Sequence, residues 1–162
     1  MTAMFSKKTE KLLCEMAIIV DATVLQSALR KDRITRAVIL NANARFVSPS
    51  YVIEEILEHR EEIMLAAELD KKSFEKLLAA LLKRIDIHEV SDKELLLAKE
   101  IISKVDADDI PYIALAVYLK GSEKRPVFLW SDDKDFQNIT TDLRKLNCMV
   151  LTTKKLLERK IY

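Results

Sequence analysis

Val127-Phe128-Leu129-Trp130-Ser131-Asp132-Asp133-Lys134-Asp135-Phe136 is the stretch that decides how the chain is read. Its first four residues are an unbroken apolar run, the pattern of a strand buried on both faces, as in a parallel sheet. The run then empties directly into carboxylates. Ala17-Ile18-Ile19-Val20-Asp21 repeats the arrangement more than a hundred residues earlier. In open α/β sheets ligands bind beyond the carboxyl ends of the strands, so an acid placed there is well positioned for chemistry.

Between these two strands the pattern alternates. A helical stretch covers about 22–43, and Arg45-Phe46-Val47 is a second strand, closed by Ser48-Pro49-Ser50. Helices follow over 50–68 and 71–84, with Pro49 and its flanking serines suiting a helix start. Ile85-Asp86-Ile87-His88 alternates briefly, as a short strand or an extended link. Ser91 and Glu94 form a capping box that opens a helix to about 103. Asp108 or Asp109 caps the next helix, which runs to about 119 with Gly121 as its stop. A helical turn over 132–138, a last strand Cys148-Met149-Val150-Leu151 and a short helix complete the chain. Alternating strands and helices predict an α/β fold: a three-layer α/β/α sandwich around a mainly parallel sheet of 4–5 strands. Residues 1–16 read as a helical N-terminal extension and 17–162 as a single domain.

Composition narrows the function classes. With 162 residues and 49% apolar side chains the chain can fill a real core. Its 27 basic and 26 acidic residues nearly cancel, so bulk charge argues for no particular partner and any nucleic-acid surface must be local. No apolar run approaches the ~20 residues that span a bilayer, and the start lacks a signal-peptide core. A cytoplasmic protein without membrane contact is expected. Cys14 and Cys148 stand in apolar stretches with no second ligand at metal spacing, and read as buried free thiols. A single Gly excludes a phosphate-cradling loop.

Four acidic clusters fall where one pocket can collect them: Asp21, Glu54-Glu55, Asp108-Asp109 and Asp132-Asp133-Lys134-Asp135. Each has a plainer explanation. Asp at a strand-to-helix turn is a good N-cap, and Glu54 and Glu55 both lie off the apolar stripe of their helix, so periodicity does not choose between them. Converging carboxylates, however, raise one another's pKa, and a divalent cation removes that penalty. An oxygen-only donor set favours Mg²⁺ or Mn²⁺ over zinc; the two histidines, His59 and His88, have no His partner at ligand spacing.

These residues resemble the PIN-domain family. Ile18-Ile19-Val20-Asp21-Ala22-Thr23-Val24-Leu25 is similar to its opening strand, Glu55-Ile56 to its early helical Glu, and Asp109 stands five residues before the first Ala of an Ala-rich helix. Leu129-Trp130-Ser131-Asp132-Asp133-Lys134-Asp135-Phe136 fits the last motif throughout. Thr23 stands where the family often has Asn or Ser. The order is kept from residue 17 to about 151, although the helical pair at 50–84 is longer than in compact VapBC-type toxins.

The resemblance implies a Mg²⁺- or Mn²⁺-dependent endoribonuclease. Asp21, Glu55, Asp109 and Asp133 would be the catalytic and metal-binding residues, with Asp135, Ser131 and Thr23 auxiliary. It further implies an RNA substrate, products with 5′-phosphate and 3′-hydroxyl ends, and the toxin of a toxin–antitoxin pair with an antitoxin partner; a homodimer is the expected assembly. Arg30, Lys31, Arg33, Arg36, Arg144-Lys145 and Lys154-Lys155 are the basic candidates for RNA contact. The alternative from a different class is a catalytically silent PIN-like module that binds RNA or protein. A haloacid-dehalogenase-type phosphatase would want a second Asp two residues after Asp21, where Thr23 stands.

Overall fold

The computed structural model describes residues 16–102 and 104–159. The helical extension expected over residues 1–16 therefore lies outside the described residues, apart from the buried Met16. Five strands, β1 (Ala17–Val20), β2 (Arg45–Pro49), β3 (Ile85–His88), β4 (Val127–Trp130) and β5 (Cys148–Leu151), form one sheet in the order β3-β2-β1-β4-β5. Every pairing is parallel. The expected three-layer α/β/α architecture is the one observed, with the sheet parallel throughout. β1 and β4 are buried at all four positions, as continuous apolar runs require.

Topology places the site. The chain leaves β1 for β2 on one side and later returns to pair β4 on the other side. The carboxyl ends of β1 and β4 are thus neighbours at a topological switch point, where a crevice opens. Val20 is in register with Trp130, and the Asp21 N–H donates to the Trp130 carbonyl at 3.4 Å. Ser48, buried in β2, donates to the Val20 carbonyl at 2.8 Å and steadies the other side of that strand end.

The helices differ from expectation at their breaks. The stretch over 22–43 is two helices, α1 (Ala22–Leu29) and α2 (Arg33–Asn41). Asp32 breaks it by accepting from the Ile34 and Thr35 N–H groups at 3.0 and 3.1 Å, a new N-cap. Arg36 reaches back and donates to the carbonyls of Ala28, Leu29 and Arg30, which the end of α1 leaves open. Residues 50–68 likewise divide at His59 into α3 (Tyr51–Glu58) and α4 (Arg60–Ala67). β2 runs on through Pro49, and Ser50 makes no side-chain cap.

Further along, α5 (Lys71–Leu82) leads to β3, and α6 (Asp92–Ile101) opens with the expected Ser91–Glu94 capping box. A 3₁₀ turn, Ala107–Asp109, runs into α7 (Ile110–Ser122), with Pro111 tolerated in the first turn because no helical N–H bond is lost there. Gly121 is not the stop: it sits inside α7, and left-handed backbone occurs instead at Glu68 and Asn147. α8 (Lys134–Asn138), α9 (Thr140–Lys145) and α10 (Thr153–Glu158) follow.

α1, α2 and α5 pack on one another, while α7, backed by α6, lies across β1, β2 and β4. Trp130 is fully buried in this core, 6.0 Å from Phe46 between ring centroids. Cys148 is a buried free thiol whose pKa burial pushes up to about 12; Cys14 lies outside the described residues. No helix among the described residues is long and apolar enough to cross a membrane.

Candidate active site

Asp21 follows β1 and is 2% exposed. Its carboxylate accepts the Val24 N–H at 2.8 Å and the Thr23 hydroxyl at 2.8 and 2.9 Å from its two oxygens. The plain reading of Asp21 as an N-cap of α1 is therefore correct, and it does not exhaust the residue. Burial pushes its pKa up to about 6, against the lowering effect of hydrogen bonds from Ser131, Val24 and Thr23, and the charge of Asp133 raises it further. A residue serving only as a cap belongs at the solvent edge, where ionisation costs little.

Ser131 connects the two strand ends. It is fully buried directly after β4. Its Oγ accepts the Asp133 N–H at 3.0 Å, and its hydroxyl serves the Asp21 carboxylate. Asp133 in turn caps α8 by accepting the Asp135 N–H at 2.9 Å. Asp132 points elsewhere: its carboxylate takes both the Thr153 N–H, at 2.7 Å, and the Thr153 hydroxyl, anchoring α10. The Trp130 indole N–H donates to the same Thr153 Oγ1 at 2.9 Å. Of these two adjacent acids, structure occupies Asp132 and leaves Asp133 beside Asp21.

Glu55 and Asp109 come from helices. Glu54 is exposed, whereas Glu55 is half-buried and accepts a hydrogen bond from the Tyr112 hydroxyl. Burial pushes the Glu55 pKa up to about 7 against that bond, aided by Asp108, Asp21 and Glu58. Asp109 makes no cap bond to α7, contrary to the capping expectation. Burial pushes its pKa up to about 7 as well, aided by Asp133, Asp106, Asp135 and Asp21. Each of Glu55, Asp109 and Asp133 thus interacts with Asp21, and Asp109 with Asp133. Asp135 is exposed at the rim, and Thr23 is exposed above Asp21.

Two shallow depressions flank this centre. One, of about 230 Å³, is lined by Thr23, Ser27, Asp132 and Asp133. The other, of about 210 Å³, includes Asp109, Asp106, Asp135, Lys104 and Asn138. Lys104 and Asn138 carry no motif and were not legible in the sequence. A larger apolar groove of about 540 Å³ runs along α2 past Ile34 and Leu157 and contains no acid.

The donor set suits a hard divalent cation: carboxylates and hydroxyls, one carboxylate buried, and several held in an environment that penalises ionisation. None of the described ion pairs involves Asp21, Glu55, Asp109 or Asp133. Nor are three His, Cys, Asp or Glu side chains among the described residues already gathered closely enough to hold an ion. The four carboxylates share one electrostatic neighbourhood without forming a closed shell. That is compatible with Mg²⁺, which keeps several waters and takes one or two carboxylates directly.

The basic candidates separate by what they touch. Arg36 is used up on the end of α1, and Lys31 pairs with Glu68 at 2.9 Å. Lys145 pairs with Asp142 at 2.9 Å. Arg36 thus holds the end of α1, while the Lys31 and Lys145 pairs lie exposed at the surface.

A parallel α/β sheet whose switch point collects acids from β1, α3, α7 and β4 defines a class of protein with a carboxylate-lined crevice. A PIN-domain family model matches residues 19–154, and the chain belongs to that family, whose members are generally nucleases. No curated protein matches this sequence. One solved chain comes from the crystal structure of VapBC2 from Rickettsia felis bound to a DNA fragment from their promoter. It aligns with a TM-score of 0.58 at 14% identity, over 85% of this chain and 98% of that chain. At that identity the likeness speaks for the fold alone.

Proposed function

We propose that this chain is a Mg²⁺- or Mn²⁺-dependent endoribonuclease whose centre is Asp21, Glu55, Asp109 and Asp133. The observation that carries the reading is the coupled set of carboxylates at the β1–β4 switch point, with Asp21, Glu55 and Asp109 all pushed well above the usual carboxylate range. Such a set is costly in a metal-free fold and is relieved by a cation. Membership of the PIN-domain family supports the nuclease chemistry.

When bound, Mg²⁺ or Mn²⁺ supplies a Lewis acid that activates water and neutralises charge building on the phosphate. Asp21 and Asp133 would hold it, with Glu55 and Asp109 directly or through water. Ser131 links Asp133 to Asp21 and keeps their strand ends in step, and the Thr23 hydroxyl orients Asp21 from the solvent side. Asp135 would act at the rim. Lys104, which lines the depression with Asp109, would be a cation for a substrate phosphate. A toxin role with an antitoxin partner is part of this proposal, and the neighbouring gene would bear directly on it.

Incubating the chain with mixed single-stranded and structured RNA should give 5′-phosphate products with Mg²⁺ or Mn²⁺ and none with excess chelator. Cleavage that continues under chelation would remove the metal mechanism. Absence of cleavage on every RNA with metal present, in a folded chain, would favour the silent binding module.

A further inference from the structure

The Tyr112 hydroxyl stands where the four acidic segments meet, and the nuclease reading above gives it no part. Tyr112 lies in the first turn of α7, three residues after Asp109, and is 2% exposed. Its hydroxyl donates to Glu55 Oε2 on α3. The backbone N–H of Ala22, the residue after Asp21, faces the Tyr112 hydroxyl oxygen. Its ring meets Phe136 edge-on, at 6.4 Å between centroids and 81° between planes, one residue beyond Asp135. One side chain therefore touches the segments of Asp21, Glu55 and Asp133–Asp135 while belonging to that of Asp109.

A second tyrosine braces the same pair of helices from outside. Tyr51, the first residue of α3, donates to Asp108 Oδ1 at 2.9 Å. The two bonds run in opposite senses: α7 donates to α3 through Tyr112, and α3 donates to the turn before α7 through Tyr51. A buried phenol generally finds some partner. Here the partner is a carboxylate of the pocket, one that Asp108, Asp21 and Glu58 repel.

Resting on the reading of Glu55 as a cation-holding residue, we propose that Tyr112 is a positioning residue that fixes the Glu55 carboxylate toward Asp21 and locks the Asp109 helix against the Asp133–Phe136 segment before a cation enters. It touches no reacting atom. Its contribution is the shape of the pocket, as partners of metal-ligating groups commonly supply.

Tyr112→Phe keeps the ring and its contact with Phe136 and removes only the hydroxyl. In the full chain, Mn²⁺ affinity measured by electron paramagnetic resonance should fall about 10–100-fold, the usual effect of losing such a partner. Cleavage should lose kcat with little change in KM for RNA, and the same substitution made in Glu55→Ala should cost nothing more. Equal Mn²⁺ affinity in the wild type and Tyr112→Phe, or a full additional loss in the Glu55→Ala background, overturns the proposal. If the wild type itself binds no Mn²⁺, the metal reading fails and this one falls with it; if only the difference is missing, this one fails alone. Should Tyr112→Phe not fold, the wild type labelled with 3-fluorotyrosine gives the same answer. Mg²⁺ should shift the Tyr112 fluorine resonance in the wild type and not in Glu55→Gln, and a resonance unmoved at saturating Mg²⁺ contradicts the proposal.

Discussion

Asp21→Asn should abolish RNA cleavage and at the same time make the metal-free chain more stable. The loss is expected to be about 10²–10³-fold or more, since removing one preorganised electrostatic group from an active site has that cost. The gain follows from burial. The Asp21 carboxylate is almost entirely withdrawn from water, and its pKa is raised to about 6. At neutral pH the fold therefore holds an ion that it disfavours. Asn keeps an acceptor for the Val24 N–H and carries no charge. A rise of a few degrees in Tm at pH 7 without metal is expected, because about 1 kcal/mol moves Tm by ~2–4 °C in a domain of this size. Thermal melts and cleavage assays on one preparation check both halves. A variant that loses both activity and stability would show Asp21 to be a structural cap.

The second large effect is in pH and metal together. Asp21, Glu55 and Asp109 have folded-state pKa values raised to about 6, 7 and 7. A raised carboxyl pKa means that the folded chain binds the proton more tightly than the unfolded chain. Its stabilisation is present below the unfolded value near 4 and is lost as pH rises through the folded value. The metal-free chain should thus lose stability between pH 4 and 7. For Asp21 alone, a shift of about two units corresponds to roughly 2–3 kcal/mol at 1.36 kcal/mol per unit. Asp32 and Asp70 have lowered pKa values and act in the opposite sense, protecting the fold above pH 4 and losing their effect in acid. Mg²⁺ at 100 times its Kd should restore about 2.7 kcal/mol at pH 7, and far less at pH 4, where protons occupy the carboxylates. Denaturant melts across this range with and without Mg²⁺ read the effect; a flat metal-free profile would contradict it.

Much of this was legible because the decisive signals are local. Ile18-Ile19-Val20 and Val127-Phe128-Leu129-Trp130 are buried on both faces, so continuous apolar runs announce them, and the acids after them follow directly. Chain order alone does not say that β4 lies beside β1; only the observed strand order supplies that.

What could not be read were features made by contact. The break at residues 30–32 needs no Gly or Pro, because Asp32 and Arg36 make it with side-chain bonds to backbone. Glu54 and Glu55 are separated by burial against α7, which a helical wheel does not contain. Asp132 and Asp133 are told apart by Thr153, 21 residues beyond Asp132. Tyr112 is a core aromatic. Its spacing of three from Asp109 put both on one helix face, a hint that its hydroxyl would face the pocket, but Glu55 as its partner appears only once α3 packs.

Everything proposed for this site depends on these carboxylates holding a divalent cation at the β1–β4 switch point. A crystal structure grown with Mn²⁺, with its anomalous signal mapped, tests that most directly. A peak is expected within metal–oxygen bonding distance, roughly 2.0–2.6 Å, of an Asp21 or Asp133 carboxylate oxygen, with Glu55 and Asp109 facing it directly or through water. A crystal saturated with Mn²⁺ that shows no peak there, or shows one only at surface acids elsewhere, would contradict it.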